Sequence, residues 1–111
     1  FTNVVFKNNV IGGIQASNIG TSSCNFNAVS CNNSAKAQIS NNIIGGNVAH
    51  SLQCISSATS SMAGISISSL SGACTLANNI IRNITASSNV TTNVYGINSQ
   101  FMINHSRLWN N

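Results

Sequence analysis

The side chains in this 111-residue chain whose types can do chemistry are four cysteines, two histidines and four basic residues, and no carboxylate accompanies them, because the sequence contains neither Asp nor Glu. That absence decides most of the catalytic question. Glycoside hydrolysis needs a pair of carboxylic acids, and a serine nucleophile needs a base oriented by an acid, so the hydroxyl-rich run Ser56 to Ser61 has no partner for a triad. His50 and His105 each lack a second histidine or an acid at metal-ligand spacing; both read as surface side chains. No catalytic residue, metal ligand or cofactor is assigned, and the chain is expected not to be an enzyme.

Cys24, Cys31, Cys54 and Cys74 are spaced too widely for a Cys-x-x-Cys metal or redox site. An even number of cysteines in a chain rich in Ser and Asn favours an oxidising, extracellular or cell-surface location. Four cysteines allow three pairings. Cys24 with Cys31 and Cys54 with Cys74 would each clip a loop within one repeat, Cys24 with Cys54 would join two repeats, and Cys31 also fits a core position as a buried thiol. Sequons begin at Asn32, Asn83, Asn89 and Asn104, candidate glycosylation sites in such a compartment. With 20 Asn and 26 Ser plus Thr, chance alone accounts for that number.

The formal charge of +4 comes from Lys7, Lys36, Arg82 and Arg107, spread singly along the chain. With no basic run and only 5% aromatic residues, neither an electrostatic track nor a base-stacking platform is available, and nucleic acid is not an expected partner. No apolar run approaches the roughly 18 residues of a membrane span. A hydrophobic fraction of 42%, rich in Ile and Val, argues for a folded chain despite its low charge. Beginning at Phe1 without a signal segment, the chain reads as a mature product or a piece of a longer one.

The elements that would position these residues are repeats. Leu76-Ala77-Asn78-Asn79-Ile80-Ile81-Arg82-Asn83-Ile84 is echoed by Phe6-Lys7-Asn8-Asn9-Val10-Ile11-Gly12-Gly13-Ile14 and by Ile39-Ser40-Asn41-Asn42-Ile43-Ile44-Gly45-Gly46-Asn47. A decayed copy is expected at Ile103-Asn104-His105-Ser106-Arg107-Leu108. Leading apolar residues at 6, 39, 76 and 103 give spacings of 33, 37 and 27, the range of solenoids and arrays. The repeats therefore span about 6–38, 39–75 and 76–102, with a partial one at 103–111. A second piece also aligns: Asn27-Ala28-Val29-Ser30, Ala63-Gly64-Ile65-Ser66 and Tyr95-Gly96-Ile97-Asn98. Each period is thus expected to hold at least two short strands, with a Gly-Gly turn after the first and a polar loop, such as residues 15–27, before the second. Asn, Ser, Thr, Val, Ile and Gly are poor helix residues, and β-branched clusters bounded by Gly and Asn are strand signals.

Asn-Asn-Ile-Ile-x-Asn-Ile, a variable Ser/Thr/Asn loop and Tyr-Gly-Ile together resemble the repeat of right-handed parallel β-helix proteins of the pectin-lyase-like type, particularly secreted and cell-surface ones. The resemblance implies an all-β fold, a right-handed parallel β-helix or β-solenoid of about three coils, with like residues stacked on like. Asn8 or Asn9, Asn41 or Asn42, and Asn78 or Asn79 are the candidates for a stacked asparagine ladder, bonded up the axis as in other in-register stacks. Enzymes of that fold use carboxylates, which this chain lacks. The expected role is a non-catalytic extracellular structural or adhesive segment of a stalk, fibre or adhesin. Its partners would be neighbouring repeats or further subunits, joined through open ends that carry unpaired strand edges. A glycan- or ice-binding module, and a fragment of a β-helix polysaccharide lyase or hydrolase, are the alternatives.

Overall fold

A computed structural model describes residues 3–32, 36–68, 72–100 and 107–109. The chain is all-β, with parallel sheets and no helix among the described residues. Twelve strands fall into three groups of four. The first is β1 (Asn3–Lys7), β2 (Val10–Ile11), β3 (Ile14–Asn18) and β4 (Cys24–Asn32). The second is β5 (Lys36–Ser40), β6 (Ile43–Ile44), β7 (Leu52–Ser56) and β8 (Ser60–Ser68). The third is β9 (Cys74–Ala77), β10 (Ile80–Ile81), β11 (Ile84–Ser88) and β12 (Thr92–Ser99). A thirteenth strand, β13 (Arg107–Trp109), follows.

Every fourth strand joins the same sheet. The sheet orders are β1-β5-β9-β13, β2-β6-β10, β3-β7-β11 and β4-β8-β12. Because the pairing is parallel and unslipped, equivalent side chains of successive repeats lie side by side. Phe6, Ile39 and Leu76 share one row, and Val29, Ile65 and Ile97 another, as the aligned sequence pieces predict. Ile11, Ile44 and Ile81 form a third row, and Ile14, Leu52 and Ile84 a fourth.

Burial along these rows is uneven, and the unevenness follows position. Ile39, Ile44, Leu52, Met62 and Ile65 of the second repeat are fully buried, whereas Phe6, Ile11, Ile81, Ile84 and Ile97 in the flanking repeats are only half-buried. Each large aliphatic side chain taken fully from water contributes about 1.5–3 kcal/mol, so the middle repeat carries the densest part of the core.

Two expectations need correction. Residues 15–27, read as a loop, contain most of β3 and the start of β4. The strands are recruited there by parallel pairing with β7 and β8, although Gln15, Ser17 and Asn18 have little strand propensity of their own. Each repeat holds four strands, within the expectation of at least two. The fourth copy begins later than the Asn104 motif suggested: Leu108, not Ile103, sits opposite Leu76. That makes the last spacing 32 rather than 27, and Trp109-Asn110-Asn111 then follows Leu108 in sequence as Ala77-Asn78-Asn79 follows Leu76.

The irregular period has a local cause. Two residues separate Ile11 from Ile14 and Ile81 from Ile84, but seven separate Ile44 from Leu52. The five extra residues make a lobe at Gly45–Ser51. Ser51, nearly buried, holds it against the first repeat by accepting the N–H of Gly46 at 2.7 Å and of Gly13 at 3.3 Å. A Cβ on Gly45, whose φ is +90°, would fall 1.6 Å from the Arg82 carbonyl oxygen. Only glycine fits where the lobe leaves the sheet.

Candidate functional site: the asparagine stack

Among the described residues, the most elaborate polar arrangement is built at the three junctions β1/β2, β5/β6 and β9/β10, where each repeat carries its Asn-Asn pair. The two members of a pair do different things. The first, Asn8, Asn41 or Asn78, is exposed and left-handed, with φ of 59°, 56° and 54°. Asn tolerates that conformation better than other side chains with a Cβ, and the reversal turns the chain between two short strands. The second, Asn9, Asn42 or Asn79, points into the molecule.

Those inward amides bond to one another. Asn42 Oδ1 accepts the backbone N–H of Asn9 at 3.0 Å and the side-chain N–H of Asn9 at 3.1 Å. Asn42 Nδ2 donates to the Phe6 carbonyl at 3.1 Å and to Asn79 Oδ1 at 2.8 Å. Two donors and two acceptor sites are all that a primary amide has, and Asn42 uses all four with no exposed surface. Asn79 Oδ1 likewise accepts the Asn42 backbone N–H at 3.2 Å, while its Nδ2 donates to the Ile39 carbonyl at 3.0 Å. At the first repeat the pattern changes. Asn9 Nδ2 turns to Lys7 O of its own repeat at 2.9 Å, and among the described residues no group donates to Asn9 Oδ1.

This arrangement can fix register but cannot move a proton or hold a charge. A slip by one residue would send every inward side chain to the opposite face and break the amide row with it. Which member of each pair would stack is not legible in the sequence, since both are Asn. The lone cue is position: the residue directly after the strand must reverse φ, which leaves the next to point inward.

The cysteines gather in the core. Cys54 Sγ lies 2.7 Å from Cys24 Sγ and 3.3 Å from the Cys24 carbonyl oxygen. Burial, and then the proximity of Cys31, push the Cys74 thiol up to about 11. Pairing Cys24 with Cys31 is untenable. Both point inward from β4, four residues before and three after Ala28, where the bridge to Gly64 is missing and the inward alternation shifts by one. At about 3.3 Å per residue, even a bend as sharp as a triangle's corner leaves their Cα atoms roughly 12 Å apart, against the ~7 Å limit for a disulfide.

The remaining candidates are dispersed. His50 is exposed in the lobe, its Nδ1 2.9 Å from Thr85 Oγ1. Arg82 donates to Asn47 Oδ1 nearby. Asn32 is exposed and its Oδ1 accepts from Ser68 at 2.5 Å, Asn83 is left-handed with Nδ2 bonded to the Gly46 carbonyl, and Asn89 lies exposed between β11 and β12. Asn104 and His105 lie outside the described residues. An open cleft of about 290 Å³ runs beside Val5, Lys36, Gln38 and Thr75. Among the described residues no three His or Cys side chains converge as a metal site would require.

A scan against protein-family models and searches of curated proteins and of solved structures found no match to this chain.

Proposed function

We propose that the chain is a short right-handed parallel β-solenoid of about three coils, a non-catalytic extracellular structural or adhesive segment that stacks end to end with further repeats or subunits. The observation that carries this reading is the asparagine row, satisfied at Asn42 and open at Asn9 Oδ1. An added coil bearing an equivalent Asn would donate to that oxygen as Asn9 donates to Asn42. The sheet orders support the same reading, since β1, β2, β3 and β4 all end their sheets on one side, and a row of terminal strands invites parallel pairing. Half-buried Phe6 and Ile11 and exposed Ile14 on that side would gain burial from a neighbour. Right-handed connection is the rule for parallel strands joined by crossovers.

Sedimentation velocity over a wide concentration range, followed by electron microscopy of the concentrated sample, tests it. Growth into rods that lengthen with concentration is expected. Val5→Pro should block growth while leaving the fold intact. The Asn8 amide points to Ser40, so by strand alternation that of Val5 points away from β5, where an edge proline is tolerated. A wild-type chain that stays monomeric at every concentration, with rods absent, would sink the stacking reading.

A further inference from the structure

The sulfurs of Cys24 and Cys54, 30 residues apart in sequence, stand 2.7 Å apart, too close for two thiols that merely touch. We propose that these two side chains form a disulfide that fastens the first repeat to the second from inside the core. Cys24 opens β4 of the first repeat and Cys54 lies in β7 of the second, opposite Ala16. The small Ala16 side chain leaves room beside Cys54, and Ser60, the residue opposite Cys24, turns its hydroxyl to the Cys54 carbonyl at 3.0 Å. Both sulfurs therefore sit on one inward corner, with backbones held by independent sheets.

The chemistry balances with a small-molecule disulfide as oxidant. One cysteine thiolate attacks the oxidant to give a mixed disulfide and one reduced thiol. The second then attacks the protein sulfur of that mixed disulfide, forming the Cys24–Cys54 bond and releasing the second reduced thiol. Two protein S–H groups are oxidised and one external disulfide is reduced. Only the thiolate attacks. In the folded chain burial, and then the proximity of the Cys54 thiol, push the Cys24 thiol up to about 11, and Cys54 has no exposed surface. The bond is therefore made while the second repeat settles on the first, and once made it is shielded from reductants.

Refolding the full chain with a mixture of oxidised and reduced glutathione, blocking residual thiols by alkylation and mapping peptides without reduction tests this directly. The expected result is one linked peptide pair containing Cys24 and Cys54, in wild type and in a Cys31→Ser/Cys74→Ser double variant. The reduced protein should melt roughly 10 °C or more below the oxidised one. Four alkylated cysteines after oxidative refolding, or a linkage that involves Cys31 or Cys74 in place of Cys24 to Cys54, would overturn the proposal. Mapping the wild-type chain answers the question even where a serine variant fails to fold.

Discussion

Asn42 Nδ2 lies 2.8 Å from Asn79 Oδ1, and because Asn79 Oδ1 also accepts the Asn42 backbone N–H at 3.2 Å, the orientation of the amide is fixed at both ends. An isosteric carboxylate could not take its place, since an oxygen would then face the Phe6 carbonyl and the Asn79 oxygen with no hydrogen between them. Asn42→Asp is therefore expected to destabilise the fold by about 3–5 kcal/mol at pH 7, the cost of an uncompensated buried charge. Its folded-state pKa must be raised, so the penalty is smallest below the unfolded carboxyl value of about 3.9 and grows as pH rises from there toward the folded value. Urea titrations of the variant and the wild type at pH 3 and pH 7 check both the size and the sign. A penalty that does not depend on pH would mean that the position is not buried as described.

Asn41 tests the other half of the pair. Its φ of 56° suits Asn and suits Gly better, but a β-branched residue there would be strained by about 1–2 kcal/mol. Asn41→Gly should leave the melting temperature near that of the wild type, and Asn41→Val should lower it by several degrees, since about 1 kcal/mol is worth ~4–8 °C in a domain of this size. Calorimetry of the two variants side by side decides the matter. Equal losses would show that the Asn side chain, and not the backbone, is what the junction needs.

The repeat register was legible in the sequence because parallel stacking puts like on like: Phe6, Ile39 and Leu76, or Val29, Ile65 and Ile97, can be aligned by eye and are paired in space. What was not legible is whatever the neighbouring repeat supplies. β2, β6 and β10 are two-residue strands, too short for any periodicity. β3 and β7 hide in Ser- and Gln-containing stretches, since their hydrogen bonds come from strands more than 30 residues away. The five residues added in the Gly45–Ser51 lobe make the period look irregular, and Ile103, as an apolar start, puts the last copy five residues early in the sequence. The asparagine row lay one step beyond reach, because choosing between Asn41 and Asn42 requires knowing which φ is positive.

Gly64 and Gly96 occupy equivalent places in β8 and β12 but differ in surroundings. A Cβ on Gly64 would meet Ile81 Cγ2 at 2.6 Å and the Gly96 carbonyl oxygen at 2.8 Å, whereas one on Gly96 would meet nothing within 4 Å. Gly64→Ala is expected to cost about 1–3 kcal/mol, in the range of overpacking, and Gly96→Ala to stay within about 0.5 kcal/mol. Chemical denaturation of both reads the difference. Should Gly96→Ala prove as costly as Gly64→Ala, another layer must already cover the third repeat.

Ile14 and Leu52 are side-by-side members of one row, yet Leu52 is fully buried and Ile14 is 40% exposed. The difference comes from having a repeat on both sides or on one. Leu52→Ala should therefore cost about 2–5 kcal/mol, while Ile14→Ala should cost much less in dilute solution, where part of that side chain never leaves water. Stacking would change the second number and not the first. If a further coil covers β3 in concentrated samples, Ile14 becomes an interior residue, and Ile14→Ala should then weaken assembly as well as the fold. Thermal denaturation of both variants at low and high protein concentration measures this. A cost for Ile14→Ala that equals that of Leu52→Ala in dilute monomer would mean that the edge of the first repeat is already closed, and a cost unchanged in concentrated, assembled samples would mean that whatever joins there does not cover β3.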